Sequence, residues 1–144
     1  MSGLTYDQLI ISVTDNIDKN DKNRYFIALS GPPASGKSTI SENLAKDLSA
    51  KGYNSSILQM DGFHYDDLIL KEKKLLSKKG APETFDVMGL INFVSRLHKE
   101  DEVVIPIFDR SLELSRSSAV IISKNTKVII VEGNYVLLKS YPWS

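Results

Sequence analysis

The sequence contains no cysteine, which removes disulfides, thiolate metal sites and cysteine nucleophiles at once. It also carries no net charge: 18 lysines and arginines balance 18 aspartates and glutamates. General binders of nucleic acid or of anionic membrane surfaces carry a basic excess, so neither is an expected partner. No apolar run approaches the ~20 residues that span a bilayer. The opening MSGLTYDQLI lacks the basic stretch and apolar run of a secretory signal. The two histidines, His64 and His98, are too few and too far apart for a metal-ligand cluster. No internal repeat or low-complexity tract occurs. What is present is ordinary: 144 residues, 42% hydrophobic and 25% charged, as in a globular cytoplasmic chain. A single domain, 1–144, is expected, with 1–23 an N-terminal helix and connector. A chain of about 150 residues buries roughly 70% of its unfolded surface, enough for a real core.

Strand and helix patterns alternate. Leu9, Ile10, Val13 and Ile17 recur at helical spacing over residues 5–19, and the polar run 20–23 breaks it. Residues 25–29 read as a buried strand, 31–36 as a loop, and 37–50 as a helix stopped at Gly52. Residues 55–60 form a second strand candidate. The lysine-rich stretch 68–79 reads as a helix with a solvated face. In 86–98, Leu90, Ile91, Val94 and Leu97 mark another helix. Residues 103–108 and 128–131 are strands rich in β-branched side chains, with 119–122 a short extra strand. The alternation predicts a parallel α/β sheet with helical crossovers.

The strongest local signal is Gly31-Pro32-Pro33-Ala34-Ser35-Gly36-Lys37-Ser38. It fits G-x-x-x-x-G-K-[ST], whose backbone N–H groups wrap a phosphate chain. A chance match in this length is on the order of one per cent. Gly36 keeps the backbone close to the anion, and the following helix adds its N-terminal partial charge. Lys37 would neutralise the β and γ oxygens and the Ser38 hydroxyl would ligate Mg²⁺. Residues 31–39, Thr39 included, form the expected nucleotide site, with ATP and Mg²⁺ as cofactors.

In a parallel sheet, ligands gather at the carboxyl ends of the strands. Two acids stand there. Asp61 follows Ile57-Leu58-Gln59-Met60, and Glu132 follows Val128-Ile129-Ile130-Val131. The second is a Walker-B pattern, an apolar strand that delivers one acid beside the magnesium. Phosphoryl transfer to a hydroxyl needs a group that orients it and accepts its proton, and Asp61 could serve. His64, three residues on, is a candidate for the same site; His98 reads as surface. Asp86-Val87-Met88-Gly89 matches the D-x-x-G of GTPase switches, but no apolar strand precedes it and no N-K-x-D guanine motif exists. It is read as coincidence. Lys78 or Lys79 could reach an anionic substrate.

These residues, taken in order, resemble the P-loop kinases grouped with uridine kinase, phosphoribulokinase and bacterial pantothenate kinase. The phosphate loop is followed by Met60-Asp61-Gly62-Phe63-His64, then Lys79-Gly80-Ala81-Pro82-Glu83-Thr84-Phe85-Asp86. Next come Pro106-Ile107-Phe108-Asp109-Arg110 and Val131-Glu132-Gly133-Asn134-Tyr135. The resemblance covers residues 24–143 and is nearest to a bacterial branch labelled fructose-transport-system or nucleoside/nucleotide kinase-like. It implies a three-layer P-loop sandwich with strand order 2-3-1 and ATP-dependent phosphorylation of a small-molecule hydroxyl. It implies Asp61 as base, with Lys37 and Arg110 assisting catalysis. Ser38, Glu132 and Asp61 would serve magnesium. Asp61, His64, Phe85, Phe108, Arg110 and Glu132 would surround the acceptor. Rival readings are a nucleotide-binding module without catalysis and a GTPase-like switch.

Departures matter too. Uridine kinases carry an aspartate where Gly80 stands, a tyrosine where Phe108 stands and a histidine near Glu113, so uridine fits poorly. The P-V-Y-S-H segment of pantothenate kinase is replaced by 106–110, so pantothenate also fits poorly. The family continues past the glutamate strand with a fourth core strand and an arginine-bearing lid. The chain ends at Ser144, before them. The expectation is therefore an incomplete domain, weakly active or inactive alone. The uncharged strand 25–29 would be left as an exposed edge for self-association.

Overall fold

A computed structural model describes residues 5–19, 24–31 and 36–134. Its elements are α1 (Tyr6–Asp18), β1 (Tyr25–Ser30), α2 (Lys37–Ala50), β2 (Ser55–Gln59), α3 (Asp67–Glu72), α4 (Val87–Lys99), β3 (Val103–Asp109), β4 (Leu114–Ile122) and β5 (Val128–Gly133). Three of the strands form a parallel sheet in the order β1-β5-β2, the expected 2-3-1 arrangement counted over core strands. β5 is central: Ile130 lies opposite both Ile27 and Ile57, and Glu132 opposite both Leu29 and Gln59.

The period of two along each strand sorts the core into two faces. Val128 and Ile130 join Tyr25, Ile27, Leu29 and Ile57 against Ile10 and Val13 of α1 and Leu44 and Leu48 of α2. Ile129 and Val131 join Phe26 and Leu58 against Leu90 and Leu97 of α4 and against Val103, Ile105 and Ile122. A strand buried on both faces has no polar alternation, which is why β5 reads as an unbroken apolar run. The layers are α1 and α2, the sheet, then α4 with the β3–β4 ribbon.

Local chemistry sets the helix starts. Thr5 and Gln8 form a reciprocal capping box on α1, with Gln8 N donating to Thr5 Oγ1 (3.1 Å) and Thr5 N to Gln8 Oε1 (2.9 Å). Asp86 caps α4 by accepting from Gly89 N (3.0 Å). That contact accounts for the D-x-x-G match: the aspartate closes a helix end, and the glycine leaves room for its carboxylate.

Two expectations need correction. The strand at 103–108 does not extend the parallel sheet. β3 pairs antiparallel with β4, whose range takes in the short strand expected at 119–122. The ladder shifts register between Ile105 and Ile107, because Pro106 has no N–H to donate and Ser118 opposite takes φ +52°. The lysine-rich stretch is not one helix either. α3 ends at Glu72, Lys74 turns left-handed at φ +58°, and a 3₁₀ turn follows over Leu76–Lys78. The break lets the chain return to residues 60–65, where Tyr65 N donates to Thr84 O (3.0 Å) and Asp86 N to Phe63 O (2.7 Å).

Arg24 was not singled out from the sequence. It is buried below the sheet, and its guanidinium donates to the carbonyls of Leu97 (2.8 Å), Glu100 (2.7 Å), Asp101, Ser123 (2.9 Å) and Thr126 (3.3 Å). It ties the start of β1 to the end of α4 and to the turn before β5.

Candidate active site

The site lies at the carboxyl edge of the parallel sheet. β1 leads into the loop at Gly31; Pro32, Pro33, Ala34 and Ser35 lie outside the described residues, as does the Lys37 side chain. The loop's far end is described. Gly36 takes φ +83°, the left-handed region that glycine enters without steric cost, and delivers the chain into α2. No side chain caps α2 at that glycine, unlike α1, α3 and α4. Among the described residues the first N–H groups of α2 have no side-chain acceptor, which leaves them able to donate to an anion. Ser38 follows in the first turn, with Thr39 exposed beside it.

Across from Ser38, the central strand delivers Glu132. The residue is buried, at 5% exposure, and Ser38 Oγ lies 3.5 Å from Glu132 Oε1. A hydroxyl and a carboxylate at a helix N-terminus are the hard oxygen donors that Mg²⁺ selects. The donor set fits the ion. Among the described residues no cluster of three His, Asp or Glu side chains exists that would hold a metal on its own.

Asp61 sits two residues beyond β2, in the 3₁₀ turn Met60–Phe63. Met60 and Phe63 are buried and anchor the turn. Gly62 permits close contact with β3: an added Cβ would stand 3.2 Å from the Pro106 carbonyl oxygen. Asp61 itself is 37% exposed and open to a ligand. His64 Nε2 is 4.0 Å from Asp61 Oδ1. The imidazole is 11% exposed, with its ring centroid 3.9 Å from that of Phe85 and 5.4 Å from that of Phe108. Burial pushes its pKa below the ordinary histidine value, against the opposing pull of Asp61. His64 Nδ1 is buried without a hydrogen-bond partner among the described residues. A neutral ring tolerates that position better than a charged one.

The β3–β4 turn borders this ledge. Ser115 Oγ lies within hydrogen-bond distance of the carbonyls of Asp61 (3.4 Å) and His64 (3.3 Å). Asp109 Oδ1 accepts from Ser111 Oγ (2.6 Å), Ser111 N (3.0 Å) and Leu112 N (3.1 Å). Those bonds, the serine hydroxyl first, hold its carboxyl below the usual aspartate range, helped by Arg116 at 3.5 Å. Arg110 is exposed in this turn. The structure therefore brings Asp61, His64, Phe85 and Phe108 together, and brings Ser38 to Glu132. Asp109 and Ser115 were missed, although Asp109-Arg110-Ser111 is an Asx-turn signal. His98, expected at the surface, is exposed but stacks on Phe26 with ring centroids 4.0 Å apart.

Residues 26–106, more than half the chain, match the family model described as chromatin associated protein KTI12. A protein of Schizosaccharomyces pombe named "putative uridine kinase" is 32% identical over 97% of this chain and 62% of its own length. The pantothenate kinase of Bacillus velezensis is 34% identical over 78% of this chain and 36% of its own. The chain thus spans less than two thirds of these curated relatives. A crystal structure titled "putative fructose transport system kinase", from a Silicibacter species, superposes with a TM-score of 0.91. It is 40% identical, covering 98% of this chain and 68% of that one. By these matches, and by the strand ends that place Glu132 and Asp61, the chain belongs to the P-loop kinase family that includes uridine and pantothenate kinases and, by the matched model, the KTI12 proteins.

Proposed function

We propose that this chain carries the nucleotide site and the acceptor ledge of a small-molecule kinase that transfers the γ-phosphate of ATP to a hydroxyl. The observation that carries the reading is the 3.5 Å approach of Ser38 Oγ to buried Glu132 Oε1 at the mouth of the phosphate loop. Phosphoryl transfer asks the protein mainly for positioning and charge stabilisation. The helix N-terminus after Gly36 would receive the phosphates, with Lys37 neutralising their outer oxygens. Ser38 and Glu132 would hold Mg²⁺, which when bound neutralises charge on the β and γ oxygens. Asp61, on the neighbouring strand end, would orient the acceptor hydroxyl and take its proton as the new O–P bond forms. The β–γ bridging bond breaks and its electron pair leaves with ADP. His64, against Phe85 and Phe108, would hold Asp61 and wall the acceptor site.

The test pairs two substitutions. Lys37→Ala should weaken ATP binding about ten- to a hundredfold, the worth of one charge-assisted contact. Asp61→Asn should spare ATP binding by calorimetry and lower acceptor-dependent ADP release by ~10²–10⁴-fold. Unchanged ATP affinity in the first variant would sink the loop assignment, and near-normal turnover in the second would remove Asp61 as base. ATP binding with no ADP release for any hydroxyl acceptor would make the chain a nucleotide-binding module. Tighter binding of GTP than ATP would make it a switch.

A further inference from the structure

The acceptor's chemical class can be read from the charges around the ledge. Three cations stand on the segments packed around Asp61 and His64: Lys79 on the stretch that leads back to Phe85, and Arg110 and Arg116 on the β3–β4 ribbon that Ser115 fastens to their carbonyls. Lys79, close enough to lower the His64 pKa, is already paired, with Nζ 3.0 Å from Asp67 Oδ1. Arg116 is paired as well, with Nη1 3.5 Å from Asp109 Oδ2. Arg110 is exposed and has no ion pair among the described residues.

Its backbone is nonetheless fixed. Asp109 immediately before it gathers the Ser111 hydroxyl and the Ser111 and Leu112 N–H groups on one carboxylate oxygen. Glu113 closes the turn in the left-handed region at φ +52°. Ser115 then fastens the turn to the carbonyls of Asp61 and His64, on the segment that carries the expected base. Phe108, whose ring centroid is 5.4 Å from that of His64, is two residues before Arg110, a span of at most about 7 Å of backbone. An arginine side chain covers that distance. A rigid turn that ties up one arginine in an ion pair and leaves another unpaired beside the ledge is arranged to receive an anion. The guanidinium fork suits a carboxylate or a phosphate.

We propose that the acceptor is an anionic hydroxylated metabolite whose hydroxyl meets Asp61 and whose carboxylate or phosphate is held by Arg110 of the β3–β4 turn. The inference rests on the kinase reading above. It predicts a hydroxy acid or a sugar phosphate over a neutral sugar, polyol or nucleoside. The acceptor oxygen bonds to the γ-phosphorus, its proton passes to Asp61, and ADP leaves with the bridging electron pair. The anionic group takes no part in the bond changes; it fixes which hydroxyl is presented.

The experiment measures ADP release from MgATP with matched acceptors: glycerate against glycerol, pantothenate against panthenol, and fructose 6-phosphate against fructose. In at least one pair the anionic member should exceed its neutral counterpart tenfold or more in kcat/KM. The first two pairs report a carboxylate and the third a phosphate. Arg110→Gln should erase that advantage by raising the anion's KM about ten- to a hundredfold, the worth of a charged contact. Arg110→Lys, which keeps charge and loses the fork, should recover part of it. Neutral acceptors performing as well as anions would overturn the inference and leave the kinase reading standing. So would an anion preference untouched by Arg110→Gln. If no acceptor releases ADP, the chain is a nucleotide-binding module by itself, and the kinase reading passes to its ATP affinity and the Lys37→Ala variant. The anion site is then decided by calorimetry with the same pairs, on protein loaded with Mg²⁺ and a non-hydrolysable ATP analogue. Equal or absent heats for anion and neutral partner would overturn it.

Discussion

Replacing Gly133 with alanine tests whether the two acids are held at a fixed spacing by backbone contact. Gly133 ends β5 directly after Glu132, and Met60 precedes Asp61. A methyl group on Gly133 would run into the Met60 Cβ, with the Met60 Sδ at 2.9 Å and Cγ at 3.1 Å. Carbon contacts settle near ~3.5–4.0 Å, so relief requires a movement on the order of 1 Å. A new rotamer cannot supply it, because the Met60 Cβ is fixed to its backbone and the residue is fully buried. The strand ends must part, carrying Glu132 away from Ser38 and Asp61 away from the phosphate loop. Overpacking of this kind costs about 1–3 kcal/mol. At ~2.1 cal/mol/K per residue, unfolding 144 residues carries an entropy near ~0.3 kcal/mol/K, so Tm should fall by roughly 3–10 °C. A displacement near ~1 Å in a positioned site costs on the order of a hundredfold in rate. The assays are thermal unfolding by circular dichroism and ADP release well below the variant's Tm. An unchanged Tm would refute the close contact. A lowered Tm with full turnover would refute the claim that this contact sets the spacing of the two acids.

Arg24→Met removes a buried guanidinium from five carbonyls, two of them on the buried residues Leu97 and Thr126. The expected loss is about 1.5–3 kcal/mol by urea unfolding, the worth of hydrogen bonds from a charged donor to carbonyls left unsatisfied, and a loss below about 1 kcal/mol would show that water replaces the side chain. Burial lowers the His64 pKa in the fold below its unfolded value near ~6.5, so the folded chain binds fewer protons there. Stability should be full above about pH 6.5 and fall with acidification below it, and His64→Gln should flatten that part of the profile; an equal slope in variant and parent would exclude His64 as the cause. Among the described residues β1 stands at the edge of the parallel sheet with six uncharged residues, and Phe26, Ala28 and Val131 line an apolar groove beside it. Light scattering should show concentration-dependent self-association that Ala28→Lys suppresses, and a parent that stays monomeric at high concentration would refute it.

The half of the candidate site that holds Gly36, Ser38 and Glu132 was legible because each residue follows directly from a local pattern. One apolar strand, one glycine loop and one helix place Gly36 and Ser38, and a second apolar strand ends at Glu132. A strand buried on both faces and ended by an acid has few other readings. The D-x-x-G match was rightly set aside, but its actual role, a helix cap by Asp86, was also written in the sequence as an N-cap followed by an apolar periodic run.

The acceptor half was only partly legible, for a physical reason. Leu114-Ser115-Arg116-Ser117-Ser118 is polar and neither alternates nor repeats, so nothing local marks it as strand. It is strand because β3 stands beside it with free N–H and C=O groups, and that pairing is decided by tertiary placement. The same holds at Lys74, where helix propensity lost to the need to bring Thr84 and Phe85 back to residues 63–65. Apart from Asp109, whose turn is local, the residues that were missed or misplaced take their conformation from a distant partner: Ser115 from Asp61, Arg24 from α4, the 73–79 segment from the ledge. In the kinase proposed above, specificity for the acceptor would reside in those same non-local elements. The phosphate loop and the magnesium ligands would treat every acceptor alike, while the ribbon turn and the 79–85 segment are what an acceptor would touch beyond its reacting hydroxyl. Substitutions in the ribbon turn should therefore change which acceptor is used, and substitutions in the 36–38 loop end should change affinity for ATP with every acceptor equally. A ribbon-turn variant whose acceptor profile matched the parent across all three matched pairs would break that division.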